Sequence, residues 1–244
     1  MTIVNTFKDH IQSVEKLMTF DDDVLSLAIT NIEALETKLK KHHKFDNPHI
    51  SAQNTLTQLK SFRANKSLQP RYATIFNQAL VLLTSYFSST ISDLFKLGVA
   101  KVLENNTETQ LQKEQIKISF KELQENNFEV KDIAVENFIL AKDISFQDTK
   151  SISRAFKDYL QIDIKKDENV NEIILGMQCR HVIVHIGAKA DANLLHSLKY
   201  ATPRTLKRDL TIDQKIQFSI TEVTTVASAM LKYIENISKE IDRL

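Results

Sequence analysis

The sequence CRHVIVHIG, residues 179–187, places one guanidinium and two imidazoles inside a run of apolar residues. Burying such groups costs free energy unless each is paired, so a soluble chain rarely keeps three of them there without a use. The spacing predicts a helix over residues 169–186, with Asp167 or Asn169 as its N-cap and Gly187 at its end. The rest of the chain is then expected to be a helical scaffold for this segment.

The ionisable side chains of this segment share one side of the predicted helix. Because an ideal helix turns by about 100° per residue, Arg180, His181 and His185 fall on one broad face. The opposite face is apolar and consists of Cys179, Val182 and Ile183. A helix that is apolar nearly all round is buried in a core or between subunits. We therefore expect the three ionisable side chains to point into protein or into a cleft rather than into bulk water.

Residues that break helices are scarce in this chain. It has 244 residues, of which 42% are hydrophobic and 26% charged, with only 3 Gly and 3 Pro. Gly and Pro build turns, bulges and strand breaks, so their scarcity argues against a fold rich in sheet. Leu, Lys, Glu, Gln and Ala are common instead, and they favour helices. The composition predicts an all-α protein.

Hydrophobic spacing predicts helices along most of the chain. They cover residues 2–18, 24–43, 49–64, 72–103, 114–126, 130–142, 146–160, 169–186, 191–200 and 213–241. Three consecutive aspartates, residues 21–23, are predicted to end the first helix and cap the second. Residues 116–118 alternate between apolar and polar side chains and also suit a short strand.

One predicted helix is central to the fold. Residues 79–87 are apolar nearly all round, which predicts that the helix over 72–103 is buried. Residues 1–66 are more polar and are predicted to form an N-terminal helical extension. Residues 67–244 are predicted to form one antiparallel helical bundle.

Cysteine usage and the N-terminal sequence predict a compartment. The single cysteine, Cys179, excludes an internal disulfide framework and is typical of a reducing compartment. Residues 1–15 lack the basic and apolar regions of a signal peptide. No apolar run approaches the ~18–20 residues that a membrane-spanning helix needs. We therefore expect a cytoplasmic protein without a membrane segment.

The residue types at 180–185 suit cleavage of RNA without a metal. A neutral imidazole removes the proton from a ribose 2′-hydroxyl, which then attacks the adjacent phosphate. Arginine stays protonated and stabilises the extra charge on the phosphate oxygens. A proton is delivered to the leaving 5′-oxygen, so the expected products are a 2′,3′-cyclic phosphate and a 5′-hydroxyl.

The charge around this segment favours an anionic ligand. Residues 180–208 contain six basic residues and one acidic residue, a net charge of +5, whereas the remainder carries 26 basic and 30 acidic residues, a net charge of −4. Such a basic segment is a plausible RNA footprint. The residues expected to contact RNA are Lys189, Lys199, Arg204, Lys207 and Arg208. Tyr200 is the one aromatic residue close by, so base stacking is not predicted.

Other interpretations of the same residues stay open. A salt bridge would also explain Arg180, and satisfied polar groups in a core would explain the histidines. His181 and His185 have the i, i+4 spacing of a zinc helix, although no glutamate base lies between them. On the long helix, Ser88 and Asp93 interrupt an apolar run. They either serve their own helix surface or support the three ionisable side chains.

Residues 180–185, RHVIVH, resemble the Arg-[Asn/Asp/His]-x3-His signature of the HEPN superfamily, a group of all-helical ribonuclease and RNA-binding domains. Gly187, Asp191 and Leu194-Leu195 follow the motif, and a polar link and a long terminal helix come next. This order is similar to the RiboL-PSP-type and related bacterial branches. The resemblance covers about residues 70–240.

The resemblance implies a homodimer of helical bundles in which two Arg-x4-His motifs face each other. Arg180 and His185 take the catalytic positions, and His181 takes the variable polar position. It implies a metal-independent endoribonuclease without a cofactor, in a bacterial toxin or phage-defence role, with an antitoxin or defence-system protein as a further partner. The alternative is a non-catalytic HEPN module that binds RNA, a nucleotide or a protein.

Overall fold

Helices make up every regular element in the computed structural model, which describes residues 2–42, 47–64 and 69–244. The elements are α1 (Ile3–His42), α2 (Asn47–Ala64), α3 (Gln69–Glu104), the 3₁₀ helix η1 (Gln110–Lys113), α4 (Phe120–Glu125), α5 (Val130–Ala141), α6 (Thr149–Leu160), α7 (Glu168–His185), α8 (Ala192–Leu198) and α9 (Ile220–Asp242). The all-α prediction is confirmed for these residues. None of the described helices combines the length and the apolar content needed to cross a bilayer.

The long helix α3 lies at the centre of the fold, as predicted. It packs against α1, α6, α7 and α9. Its fully buried side chains include Leu80, Leu83, Phe87, Ile91 and Phe95. These side chains recur every three or four residues, so they form one broad apolar face of α3 that is buried in the core.

The first helix runs without a break from Ile3 to His42, so the predicted end at residues 21–23 is wrong. Three aspartates do not end a helix when neither Gly nor Pro accompanies them and the apolar spacing continues. Thr19 Oγ1 donates a hydrogen bond to Asp23 Oδ2 at 2.9 Å across this point. The first half of α1 joins the core of the bundle, where Phe7 meets the Phe87 ring edge-on with centroids 6.3 Å apart.

Helix α7 begins and ends almost where the sequence predicts. The Asp167 carboxylate accepts a hydrogen bond from the Val170 amide at 2.9 Å and caps the N-terminus. Gly187 has a positive φ of 67° and ends the helix. Most of α7 faces α3 and α9, and Gly176 permits close approach because a Cβ there would lie 2.9 Å from Val226 Cγ1.

The last helix begins at Ile220, seven residues later than predicted. Ser219 forms a capping box with Glu222 and starts the helix there. The preceding residues are extended, and Asn77 of α3 holds their backbone: its side chain donates to Ile216 O at 2.9 Å and accepts from the Phe218 amide at 3.0 Å. The buried Ile216 side chain mimics a helical position in the sequence because its spacing from Ile220 is four residues.

The segment between α3 and α5 is less helical than expected. Only Phe120–Glu125 of the predicted helix 114–126 is an α-helix. Residues 116–118 form neither helix nor strand in the described structure. The other predicted helices are present, with ends within three residues of the expected positions.

Candidate functional site

The C-terminal end of α7 carries the three ionisable side chains of the motif. His181 and His185 lie one turn apart, with ring centroids separated by 4.8 Å and planes tilted by 49°. Arg180 is half-buried, whereas both histidines are exposed. The expectation that all three side chains avoid bulk water is therefore wrong for the histidines of the single chain, which are exposed although Val182 between them is buried.

Arg180 and His181 line a cavity of about 450 Å³. It lies between α3 and α7 and is closed at its sides by residues near the starts of α6 and α8. Its polar lining includes Ser88, Gln147, Gln178, Arg180, His181 and Asn193. His185 is not among the lining residues and reaches the cavity through its ring contact with His181.

The cavity favours a negatively charged ligand. Within the described part of the chain, the Arg180 guanidinium has no hydrogen-bond or ion-pair partner, and the lining contains no carboxylate. A half-buried cation without a partner is electrostatically unfavourable, and an anion that binds it relieves that cost. Phosphate suits the planar guanidinium because two of its oxygens accept two parallel hydrogen bonds.

The two supporting residues expected on α3 have different surroundings. Ser88 lines the cavity next to Arg180 and donates its hydroxyl proton to the Thr84 carbonyl at 3.0 Å. Asp93 is exposed farther along α3 and is not part of the lining. The structure thus brings Ser88 to the motif and leaves Asp93 away from the cavity.

Three amide side chains of the lining were not predicted from the sequence. Gln147 immediately precedes the N-cap of α6, Gln178 lies on α7, and Asn193 lies in the first turn of α8. Their amides offer both donors and acceptors to a ligand. The sequence shows only that Gln147 and Asn193 lie within two residues of the helix caps Asp148 and Asp191. A capping position does not reveal which helices pack together, so the sequence could not place these amides in the cavity.

Two of the five basic residues expected to bind RNA hold the backbone between α8 and α9. The Arg204 guanidinium donates to the carbonyls of Leu198 at 3.0 Å and Lys207 at 3.1 Å. Lys207 pairs with Glu222 at 2.6 Å and donates to the Gln217 carbonyl at 2.7 Å. These contacts favour a structural role for Arg204 and Lys207 rather than the RNA contact that we expected.

The other three basic residues remain accessible. Lys189, Lys199 and Arg208 are exposed, and Arg208 Nε donates to the Arg204 carbonyl at 2.9 Å. Exposed cations of this kind can contribute the electrostatic part of RNA binding.

The buried half of α7 anchors the basic segment. Glu172 Oε1 accepts hydrogen bonds from the Thr205 amide and, at 2.7 Å, from the Thr205 hydroxyl. Asn171 donates to the Pro203 carbonyl at 2.7 Å. Because both anchors lie on α7, the segment after α8 is held in a defined position relative to the motif.

Cys179 is part of the core and not of the candidate site. Its side chain is fully buried on the face of α7 opposite the cavity. Burial raises the pKa of the Cys179 thiol to about 12. The thiolate is the reactive form of cysteine, so this residue is not a nucleophile near neutral pH.

The zinc interpretation finds no further ligands. Among the residues that the structure describes, no group of three or more His, Cys, Asp and Glu side chains is placed to hold a metal ion. His181 and His185 approach each other without a third ligand of these types.

Comparisons with known proteins identify no relative of this chain. No family model matches the chain, and neither curated proteins nor solved structures show a significant similarity to it. The HEPN resemblance rests on the six-residue signature and the order of elements around it. The function is accordingly argued from the geometry at the end of α7.

Proposed function

We propose that the protein is a metal-independent endoribonuclease of the HEPN type, which cleaves RNA by attack of a ribose 2′-hydroxyl on the adjacent phosphate. One observation carries the proposal: Arg180, which has no partner among the described residues, shares a polar cavity with His181, and the ring centroids of His181 and His185 are 4.8 Å apart. A phosphate clamp beside two imidazoles, one to act as general base and one as general acid, is the minimum that this reaction requires.

Each side chain has a distinct role in the proposed reaction. His185 takes the proton from the 2′-hydroxyl as the 2′-oxygen attacks phosphorus. The bond from phosphorus to the 5′-oxygen breaks, and protonated His181 delivers a proton to that oxygen. Arg180 stabilises the charge that develops on the phosphate oxygens in the transition state. The products are a 2′,3′-cyclic phosphate and a 5′-hydroxyl.

A homodimer is the second part of the proposal. Val184 and Ile186 lie beside the two histidines and are 47% and 40% exposed. Apolar side chains exposed next to a functional group are typical of a surface that another molecule covers. A second copy on this surface would bring two Arg180–His185 pairs together and remove water from both, which strengthens their interactions with phosphate. A cytoplasmic toxin or phage-defence role, regulated by an antitoxin or defence-system partner, follows from the HEPN resemblance.

The test is an RNA-cleavage assay in EDTA. Wild-type protein is incubated with a 5′-labelled single-stranded RNA, in parallel with Arg180→Ala, His185→Ala and the control Arg154→Ala, an exposed arginine on α6. We expect cleavage by the wild type and the control and its loss in the two motif variants. Cleavage that needs added metal, or that persists in both motif variants, contradicts the proposal.

A non-catalytic RNA-binding module is the second candidate. The observation that favours it is the position of His185, which lies outside the lining of the cavity that holds Arg180. In that case the wild type binds RNA but leaves it intact, and Arg180→Ala weakens binding. The same assay, followed by a gel-shift measurement on the intact RNA, separates the two candidates.

A further inference from the structure

A second cavity continues the first one along α7. It has a volume of about 390 Å³ and shares the side chains of Met177 and Gln178 with the cavity that holds Arg180. Ile174, His196 and Tyr200 line its other end. The two cavities are therefore neighbours along α7, and together we call them the α7 groove.

An aromatic platform forms the far end of the α7 groove. The Tyr200 side chain lies at the end of α8 and is 52% exposed. His196 meets its ring edge-on, with centroids 5.7 Å apart. Lys150 Nζ lies over the same ring, 4.8 Å from its centroid. An exposed ring face that already attracts a cation has the electron-rich surface on which nucleobases and cations bind.

Positive charge surrounds the platform. Within the described residues, Lys150 has no carboxylate partner, and Lys199 is exposed next to Tyr200 in the chain. Lys166 donates to the Tyr200 carbonyl. Among the described residues of the lining, Asp148 is the one carboxylate, and it accepts a hydrogen bond from the Ser151 amide at 2.8 Å as the N-cap of α6. A phosphate beside the Tyr200 ring would therefore be attracted by lysines, while the nearby Asp148 carboxylate already accepts a hydrogen bond.

We infer that the Tyr200 end of the α7 groove binds the base of a nucleotide that flanks the phosphate held by Arg180. This inference rests on the proposed function and names its substrate more closely as single-stranded RNA, because a base within a duplex cannot reach a side chain in this way. When the base stacks on Tyr200, it replaces Lys150 on the ring face, and the released ammonium pairs with the backbone phosphate. Stacking of this kind accepts any base, so it predicts little sequence preference.

The test uses strands that bind but cannot be cleaved. The first probe is a fluorescein-labelled, 2′-O-methylated oligouridylate of twelve nucleotides, and the second is the same strand with its six central bases removed. Fluorescence anisotropy gives the Kd of both probes for the wild type, Tyr200→Ala, Tyr200→Phe and Lys150→Gln. The matched controls are Phe120→Ala and Lys121→Gln on α4, where the Phe120 residue is 86% exposed and the Lys121 side chain 83%.

We expect Tyr200→Ala to weaken binding of the intact strand about tenfold and to leave binding of the base-free strand unchanged. Tyr200→Phe keeps the wild-type Kd, because the ring remains. Lys150→Gln weakens both strands about threefold and lowers the salt dependence of binding. The inference is overturned if Tyr200→Ala binds the intact strand as the wild type does, or if it weakens both strands equally.

The failure of this inference is distinguishable from the failure of the proposed function. Cleavage that depends on Arg180, together with unchanged binding by Tyr200→Ala, removes the base site and leaves the ribonuclease. Base-dependent binding by Tyr200, together with no cleavage by the wild type, removes the ribonuclease and leaves a single-strand binding groove. For an active enzyme, Tyr200→Ala raises KM with little change in kcat, because its ring contacts the flanking base and not the reacting atoms.

Discussion

The two halves of α7 have the same apolar character but very different surroundings. In the first half, Ile173, Leu175 and Gly176 are buried between α3 and α9. In the second half, His181, Val184 and His185 are exposed, although the apolar spacing continues to Ile186. One helix therefore contributes to the core and also carries the exposed residues of the proposed site.

Because of this contrast, substitutions at buried and at exposed positions of α7 are expected to affect different properties of the protein. A substitution in the first half disturbs the packing that holds the bundle together, so it is expected to lower the free energy of unfolding. In the last turns Cys179 and Val182 are also buried, whereas a substitution of an exposed residue there, such as His181, Val184 or His185, disturbs groups that face the solvent. Those variants are expected to fold normally and to lose activity or association.

The largest expected effect belongs to Arg180. Arg180→Ala should lower kcat on the order of 10²–10³-fold, because it removes the charge that stabilises the transition state. The midpoint of thermal unfolding should change by no more than about 2 °C, since no protein group that the structure describes pairs with this guanidinium. Cleavage kinetics and differential scanning calorimetry on the same preparation measure both quantities.

Arg180→Lys is the matched control for this prediction. It keeps the charge but loses the two parallel donors, so its kcat should lie between those of the wild type and Arg180→Ala. A large fall in the thermal unfolding midpoint of either variant would show that Arg180 stabilises the fold. It would contradict the proposed difference between the two halves of α7.

The next largest effect concerns association through the exposed end of α7. Val184→Asp should weaken the proposed homodimer about 100-fold, because an interface would have to bury the new carboxylate without a partner. Monomer stability should be nearly unchanged, since Val184 is already 47% exposed. Sedimentation velocity over a concentration series measures the dissociation constant.

Leu103→Asp controls for the loss of an exposed apolar side chain. Leu103 is 48% exposed and lies at the C-terminal end of α3, outside the proposed interface. It should leave the dimer intact. A wild-type protein that stays monomeric at high micromolar concentration, or an equal effect of the two variants, contradicts the proposed interface.

A smaller effect is expected in the buried half. Gly176→Ala should lower the free energy of unfolding by about 2 kcal/mol, because the new Cβ would lie 2.9 Å from Val226 Cγ1 and push α7 from α9. At an exposed helix position the same change stabilises by about 1 kcal/mol, so the sign of the effect is diagnostic. Urea denaturation provides the measurement.

The double variant Gly176→Ala with Val226→Ala tests the cause. If the methyl contact is responsible, Val226→Ala should cost less in the Gly176→Ala background than in the wild type. Additive effects, or a stabilised Gly176→Ala, would mean that α7 and α9 have room between them.

The smallest effect is a dependence of stability on alkaline pH through Cys179. Its pKa is about 12 when folded, against an ordinary value of 9.0, so the unfolded chain ionises first as pH rises. The contribution is fully present below about pH 9 and is lost between pH 9 and 12. Between pH 9 and 10 the loss should be about 1 kcal/mol.

Cys179→Ala separates this contribution from other alkaline titrations. Its free energy of unfolding should decline less steeply from pH 9 to pH 10 than that of the wild type. Identical slopes for the two proteins would show that the thiol ionises as readily in the folded chain as in the unfolded chain, and Cys179 would then not belong to the buried face.

Local signals predicted α7 well, and tertiary contacts decided the errors elsewhere. Asp167 and Gly187 mark its ends through their own backbone preferences, which neighbours in sequence are sufficient to reveal. The predicted break in α1 and the predicted start of α9 failed for another reason. A polar cluster at residues 21–23 and a buried Ile216 have the same local pattern whether or not another helix covers them.

The candidate site was predicted in its motif but not in its surroundings. Periodicity placed Arg180 and His181 on one face, and the structure puts both on one cavity. The periodicity of the sequence does not reveal whether a neighbouring helix covers that face, which is why the exposure of His185 was missed. The Tyr200 platform was missed because Lys150, which lies over its ring, belongs to α6 and is distant in sequence.

Net charge was also an incomplete guide to the RNA contacts. The count over residues 180–208 treats all basic side chains alike, but Arg204 and Lys207 are engaged by carbonyls and by Glu222. Only the folded chain shows which cations have internal partners and which, such as Arg180, have none among the described residues.

The end groups of the cleaved RNA test the central claim most directly. A defined oligoribonucleotide is digested in EDTA, and mass spectrometry identifies the two new end groups at the cleavage position. A second substrate carries a single 2′-deoxynucleotide on the 5′ side of that position. The account predicts a 2′,3′-cyclic phosphate and a 5′-hydroxyl, no cleavage of the 2′-deoxy substrate, and no products from Arg180→Ala. A 3′-hydroxyl with a 5′-phosphate, or cleavage of the 2′-deoxy substrate at that position, would contradict it.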